Sequence, residues 1–479
     1  MSDRNLSAVR KAAAVTGLLA TILGAGCASP VAYVRPADPS QTRYVQGDLA
    51  HVSFGDAPPG AWWTLLGSEQ INRLVSLALA NNQSLAAAQA HLAAARERIR
   101  AAQGAWYPQL DVMAAAQRTR YGAPTLGSLA KDFPPYSAYA AGPAVSYDLD
   151  LFGRTSSRVE QATAGAQYEF TRLQAAGLSI SGNVVIEALQ TAALRAQIRV
   201  TLGILADDER TLALIRGARE AGAVSEMDVL SAQSQTDHDR TLLPPLRQEL
   251  SVAQDVLSSL VGQTSSDWAP PDVELDGVKL AKNLPVVLPS ELVHRRPDIG
   301  EAEAQLQAAS ATLGVATANL YPHLTLSAAI GPQGLLDGGP SEAALNLLAG
   351  LTAPVFHGGT LTAERRAAQD EYQAAFAAYR QTVLEAFNQV ASSLQALAND
   401  AESLSAQQHA LQSASASLSL TREAYAAGKA GYVQVLDAQR LDQEAQLGHV
   451  KANGQRFIDV VKLLLAAGGR VELPSAQRP

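Results

Sequence analysis

The sequence is poor in charge and contains almost no cysteine. A single cysteine among 479 residues excludes a disulfide framework and a cysteine-rich metal site. Charged residues make up 17% and hydrophobic residues 47%, a balance that argues against an intrinsically disordered chain. The net charge is −8 at pH 7, and no basic stripe is present, so nucleic acid is not an expected partner.

Motifs of catalytic sites are missing as well. The eight histidines are scattered, and none belongs to an H-E-x-x-H motif, so zinc chemistry has no support. No G-x-S-x-G, Walker or dinucleotide-binding motif opens a predicted helix. We therefore expect neither an enzyme nor a metal site. Beyond the N-terminal segment, no run of 18 apolar residues occurs, which predicts a mature chain without a transmembrane helix.

The N-terminal segment has the features of an export signal. Basic residues lie within the first 11 positions, and residues 12–23 form an apolar run that is too short to span a bilayer as a mature helix. The small residues Gly24-Ala25-Gly26 come next and lead to Cys27, at the place where bacterial lipoproteins carry their acylated cysteine. We expect residues 1–26 to be a signal peptide and Cys27 to carry a covalent lipid; an ordinary cleaved signal with an unmodified cysteine is the alternative. Ala28, in place of Asp, favours sorting to the outer membrane.

Three motifs recur in the same order, which indicates an internal duplication. Their matching positions, with the offset in residues, are Pro108 and Pro322 (214), Phe152 and Phe356 (204), and Leu230 and Leu436 (206). The domains that we expect are a signal peptide (1–26), a lipid-anchored segment (27–66), a first repeat (67–265), a linker or equatorial region (266–289), a second repeat (290–468) and a C-terminal tail (469–479).

Each half contains a long stretch of good helix formers. Residues 155–221 and 361–427 have 67 residues each and no proline, and each would form a helix of roughly 100 Å. A short turn and another helix follow in both halves, and Pro244 and Pro245 should break that helix in the first half only. Taken alone, this pattern is also compatible with a soluble coiled-coil bundle.

Two predicted β-hairpins, within residues 109–151 and 323–356, favour a membrane protein. Leu324 and Leu326 alternate with polar residues such as Thr325, and this period of two is typical of membrane strands. A surface hairpin is the alternative. Four strands are too few to close a barrel, and an open edge is not tolerated in lipid, so several copies must contribute to one wall. The long helices would then extend that wall as a tube.

Short motifs along most of the chain show a specific order. They are Tyr33-Val34-Arg35-Pro36, Trp62-Trp63, Ser146-Tyr147-Asp148-Leu149-Asp150-Leu151-Phe152-Gly153-Arg154, Arg295-Arg296-Pro297-Asp298-Ile299, Tyr321-Pro322, Pro354-Val355-Phe356-His357-Gly358-Gly359 and Val435-Leu436-Asp437-Ala438-Gln439-Arg440.

With these motifs the chain resembles the TolC-like outer-membrane efflux proteins, in particular their NodT-type lipoprotein branch. The resemblance implies a mainly α fold with membrane β-strands, in which a homotrimer forms a twelve-stranded outer-membrane β-barrel continued by a twelve-helix periplasmic barrel. It further implies a periplasmic adaptor and an inner-membrane efflux pump as partners, the export of drugs or other small toxic compounds, and no cofactor besides the lipid on Cys27. Two alternatives stay open: a coiled-coil periplasmic lipoprotein with a structural or adaptor role, and a type I secretion duct.

The resemblance also assigns roles to the helix–helix turns farthest from the barrel, which would form the periplasmic gate. Asp437 matches an acidic ring, although a solvated helix carboxylate is the alternative interpretation. Asp228 and Tyr425 match a pair that ties the tips of the two halves together. Gln434 stands where family members often have Asp or Glu, and Ala430 stands where some have a bridging Arg. The turn residues expected to dock the adaptor are Gly222, Ala223, Gly428 and Lys429.

One acidic pair near the first hairpin allows two interpretations. Asp148 and Asp150 could suggest a metal site, but they lie on the polar parity of a predicted strand. We therefore expect both side chains to face the lumen of the barrel.

Overall fold

The fold was analysed in a computed structural model of the chain. It describes residues 33–37, 40–41, 43–45, 52–120, 135–280, 283–336, 338, 340–471 and 473. The predicted signal peptide and the predicted lipidation site Cys27 lie outside these residues. No helix in the described part of the chain has the length and apolar character needed to cross a membrane.

The described elements form two similar series, in which helices precede and follow a pair of strands. In chain order they are β1 (Val52–Phe54), α1 (Glu69–Asn81), α2 (Gln83–Gly104), β2 (Gln109–Thr119), β3 (Tyr136–Leu149), α3 (Arg154–Glu220), α4 (Glu226–Arg240), α5 (Leu243–Leu260), β4 (Leu284–Val286), α6 (Pro289–Arg295), α7 (Pro297–Ala318), β5 (His323–Leu335), β6 (Glu342–Thr352), α8 (Thr360–Ala426) and α9 (Tyr432–Ala466).

The long helices α3 and α8 have 67 residues each, within one residue of the proline-free stretches at both ends. At 1.5 Å per residue each extends over roughly 100 Å. Helix α3 packs along α2, α5, α7 and α9, and α8 packs along α7 and α9. The predicted break in the first half is present between α4 and α5, where Pro244 lies in the first turn of α5, a position at which proline costs no helical hydrogen bond.

The four long strands form one antiparallel sheet in the order β2-β3-β5-β6. Each half contributes one hairpin, and the β3–β5 pair joins the two hairpins. Next to the sheet, the rings of Phe152 and Tyr321 stack with their centroids 4.9 Å apart. Both residues belong to recurring motifs, so the motifs also hold the two halves together. Strands β2 and β6 are the two edges of the sheet in a single chain.

The register gives this sheet one apolar and one mainly polar face, because residues paired across strands point to the same side. The apolar face is open in a single chain, with Val112 83% and Leu347 74% exposed. Its residues include Leu110, Val112, Val145, Tyr147, Leu149, Leu324, Leu326, Ile330, Leu345, Leu347 and Leu351. The opposite face includes Gln109, Asp111, Ser146, Asp148, Thr325, Ser327 and Asn346.

The main hydrophobic core lies at the middle of the long helices, far from the sheet. Trp62, Leu66 and Ile71 are completely buried there, together with Leu189 of α3 and Val461 of α9. A short parallel pair of β1 and β4 borders this core. A second, smaller core lies where the long helices end.

Candidate functional site

The ends of α3 and α8 that lie remote from the sheet have the same type of cap. Gly222 and Gly428 follow the helices with φ values of 73° and 67°, the left-handed region that favours glycine. In each turn the amides of the glycine and of the next residue, Ala223 or Lys429, donate to carbonyls of the last helical turn at 2.8 to 2.9 Å. All four residues are exposed. The predicted docking turns are therefore two matching, rigidly capped tips.

The helices that leave these tips are capped by two of the predicted gate residues. Asp228 accepts hydrogen bonds from the Ser225 amide (2.9 Å) and hydroxyl (2.7 Å), and its own amide donates to the Ser225 hydroxyl at 3.2 Å. In the second repeat, Gln434 Oε1 accepts from the Gly431 amide at 2.8 Å. Asp228 and Gln434 thus occupy equivalent positions and each stabilises the first turn of its own helix.

Beneath the caps, the two repeats share the smaller hydrophobic core. The rings of Tyr425 and Tyr432 pack in it with centroids 5.9 Å apart. Burial raises the pKa of the Tyr432 hydroxyl to about 12, with further contributions from Tyr425, Asp208 and Asp228. Since Asp228 directs its carboxylate to Ser225, the role of the Asp228–Tyr425 pair stays a prediction. The buried residues of this core are Leu212, Ile215, Ala232, Leu418, Tyr432, Val435 and Ala438.

Asp437 lies one turn into α9 and is exposed to solvent. Its carboxylate is 3.8 Å from a guanidinium nitrogen of Arg440, and both side chains are more than half exposed. An exposed ion pair of this kind contributes little to stability, so the Asp437 charge stays available to act on ions in solution. Its position in an acidic ring stays a prediction.

A buried polar cluster lies next to the smaller core, on the side farther from the tips, and was not predicted from the sequence. Asp208 of α3 and Asp239 of α4 are 3% and 4% exposed. Gln443 of α9 donates to Asp208 Oδ1 at 3.1 Å, Gln439 donates to the same oxygen, and Gln235 donates to Asp239 Oδ2 at 2.9 Å. Burial raises the pKa of Asp208 to about 7, and the hydrogen bond and the charge of the Asp239 carboxyl act in the same direction, against the two glutamine donors.

The sequence does contain a signal for this cluster. Leu205, Asp208, Leu212 and Ile215 follow one another at spacings of three and four, which is the spacing of a buried helix face. A lone carboxylate on such a face must be paired or protonated once the helix packs.

Asp150 contacts the start of α3, and its orientation towards the lumen stays a prediction. Strand β3 ends at Leu149, so the strand parity no longer applies. The Asp150 carboxylate accepts hydrogen bonds from the amides of Thr155 (2.9 Å) and Ser156 (2.8 Å) and from the Ser156 hydroxyl (2.7 Å), which caps α3. Asp148 remains on the polar face and accepts from the Thr325 hydroxyl at 2.6 Å. In the described residues no group of three or more His, Cys, Asp or Glu is placed to hold a metal ion.

Comparisons with known proteins agree with this architecture. A family profile described as "OEP: Outer membrane efflux protein" matches residues 74–263 and 288–469. The "Pyoverdine export outer membrane protein OpmQ" of Pseudomonas aeruginosa is 30% identical over 90% of this chain and 91% of the relative. The "Outer membrane protein OprJ" of the same organism is 30% identical over 94% of each chain. A solved membrane protein from P. aeruginosa, 28% identical, superposes with a TM-score of 0.84 over 93% of this chain and 98% of its own.

Proposed function

The chain belongs to the outer membrane efflux protein family, and from this premise we propose that it forms the passive exit duct of a three-part efflux system. A periplasmic adaptor and an inner-membrane pump are its proposed partners. The family match and the relatives confirm four predictions. These are the family, the mainly helical fold class with a duplicated repeat, the role as an outer-membrane efflux channel and the outer-membrane location. We infer that the chain has no catalytic activity of its own.

One observation supports the duct most directly: in the described part of the chain, a sheet with two unpaired edges and an exposed apolar face lies at one end of helices roughly 100 Å long. Hydrocarbon does not tolerate unpaired backbone groups, so the edges β2 and β6 must pair with other copies. A homotrimer supplies twelve strands, which is sufficient for a closed membrane barrel. The helices then continue this wall through the periplasm as a twelve-helix barrel.

We further propose that a lipid on Cys27 fixes the N-terminal segment to the outer membrane, and that the chain divides into the domains given by its repeats. The mass of the N-terminal peptide tests the first point. A peptide that starts at residue 27 and carries acyl chains is expected, whereas a peptide with an unmodified Cys27 would contradict it.

The tips of α3 and α8 are the proposed periplasmic mouth, because they lie at the opposite end from the sheet. Three Asp437 carboxylates around one axis would attract cations and repel one another. Asp228, Tyr425 and Gln434 would hold the tips together around this ring. The exposed turns that would contact the adaptor are Gly222, Ala223, Gly428 and Lys429.

Electrical recordings from the purified trimer in a planar bilayer test the duct and its acidic ring together. We expect the wild-type channel to conduct and to prefer cations, and we expect Asp437→Ala to lower the preference for K⁺ over Cl⁻ by roughly twofold or more, because three fixed charges are removed at a constriction. Asp437→Glu keeps the charge and is the matched control. Unchanged selectivity in Asp437→Ala would reject the ring, and a trimer without conductance would reject the duct.

The cargo is proposed to be a small compound. OpmQ is named for the export of pyoverdine, and the resemblance of the motifs implies drugs or other small toxic molecules. A passive duct needs no pocket shaped for its cargo, so we expect the inner-membrane pump to determine which compounds are exported. Loss of the gene should therefore sensitise cells to the whole substrate range of the pump.

A further inference from the structure

The buried acidic pair above the tip requires a proton. Asp208 and Asp239 are almost completely buried, and Gln443, which donates to Asp208, is 3.3 Å from Gln235, which donates to Asp239. Two ionised carboxylates that are buried in one such cluster repel each other strongly in a medium of low dielectric. Asp208 Oδ2 has no donor among the described residues, which leaves this oxygen for the shared proton. The pair is therefore stable as one acid and one carboxylate.

The cluster connects the two halves of the chain. Asp208 and Asp239 belong to the first repeat, whereas Gln439 and Gln443 of α9 belong to the second. Both glutamines donate to Asp208, and Gln235 of α4 bridges Asp239 and Gln443, with an N–O distance of 3.3 Å to the latter. Helices α3, α4 and α9 therefore meet at this point, about two to four helical turns from the predicted mouth.

The charged groups around the pair do not neutralise it. Within the described residues no Lys, Arg or His forms an ion pair with either carboxyl. On α3, the neighbours Asp207 and Glu209 pair with surface arginines, and Glu209 shares Arg240 of α4 with Asp237. On α9, the Tyr432 hydroxyl lies close enough to Asp208 for the Asp208 charge to raise the pKa of Tyr432. Asp442, also on α9, accepts a hydrogen bond from the Ser415 hydroxyl of α8. A proton is thus the available means of compensating the second negative charge.

We propose that Asp208 and Asp239 share one proton and act as a latch, which holds the two repeats together above the mouth and loosens when the proton is lost. This inference rests on the proposed function, since it treats the tip as the mouth of a duct. Burial raises the pKa of Asp208 to about 7, so the proton leaves near neutral pH. The shared proton stabilises the tip at lower pH, and this stabilisation is lost as the pH rises through about 7.

Hydrogen exchange of the amides of α4 tests the latch directly, in the intact trimer and without reliance on conductance. After correction for intrinsic exchange, we expect the protection of residues 226–240 to fall by about tenfold or more between pH 5 and pH 7.5, because one pKa unit of differential proton affinity corresponds to a factor of ten. Asp208→Asn keeps a side chain of the same shape and cannot ionise. In this variant, the protection of the α4 amides against exchange is expected to be the same at pH 5 and at pH 7.5.

The control variant is Asp207→Asn, which removes the adjacent exposed carboxylate and should leave the wild-type pH dependence unchanged. If Asp208→Asn does not assemble, Asp239→Asn neutralises the other partner and should give the same result. A wild-type protection that is independent of pH, or an Asp208 variant with the wild-type pH dependence, would overturn the latch. A conducting trimer with pH-independent exchange would overturn the latch alone, whereas a non-conducting trimer with the expected exchange would overturn only the duct.

Discussion

At the scale of single residues, Asp150 has an unusually well-defined role, since three hydrogen bonds from the first turn of α3 converge on its carboxylate. We expect Asp150→Ala to destabilise the start of this helix by about 1–2 kcal/mol, the usual cost of losing an N-terminal cap. The midpoint temperature at which trimers dissociate in detergent would measure the effect. Asp150→Asn retains an acceptor oxygen and should stay near the wild type; equal losses in both variants would contradict a capping role.

Some residue roles could be predicted and others could not. Gly222 and Gly428 were predictable, because a glycine after a long helix points to a left-handed cap. The role of Asp150 was not, because strand parity predicts a direction only up to the end of the strand, here Leu149. Asp208 carried a usable signal, an acidic residue on an apolar helix face, but its partners come from helices far away in sequence.

At the scale of elements, the contact between the two hairpins depends on a very close approach of β3 and β5. A Cβ atom at Gly331 would lie 1.9 Å from the carbonyl oxygen of Ala141, and one at Gly142 would lie 2.1 Å from that of Ile330. We expect Gly331→Ala to force the strands apart and to cost about 1–3 kcal/mol or more, as overpacking does. The yield of heat-stable trimers after refolding should fall accordingly.

Gly350→Ala on β6 is the matched control for this variant, because its nearest contact would be the Thr325 carbonyl oxygen at 4.0 Å. It lies in the same sheet and should give trimers in normal yield. Normal yields from Gly331→Ala as well would show that β3 and β5 can separate far enough to accept a Cβ atom at this position.

The elements themselves were largely predictable, since their causes are local. The absence of proline and the abundance of good helix formers predict α3 and α8, and the alternation around Leu324 predicts β5. The pairing of β3 with β5 was not predictable in the same way. It joins residues 175 to 197 positions apart, such as Leu149 and Leu324, and no local pattern in either hairpin specifies its partner.

At the scale of the whole molecule, the exposed apolar face of the sheet determines in which environment the protein is stable. An apolar surface of this extent on a water-soluble chain would promote aggregation, and two open sheet edges would add to that tendency. The same face and edges are compatible with a membrane once three copies close the wall. The location of the protein and its oligomeric state thus have one physical cause.

A pair of adjacent substitutions on β6 tests this relation between face and environment. Leu347 lies on the apolar face and Asn346 on the opposite one, and they pair with Ala328 and Ala329 of β5. Lysine on a lipid-facing position near the bilayer midplane costs about 2–4 kcal/mol, whereas lumen positions tolerate charge. We therefore expect Leu347→Lys to lower the yield of folded trimers in bilayers by at least about tenfold. Asn346→Lys should assemble normally and shift the ion preference towards anions; equal yields from both variants would mean that the apolar face does not contact lipid.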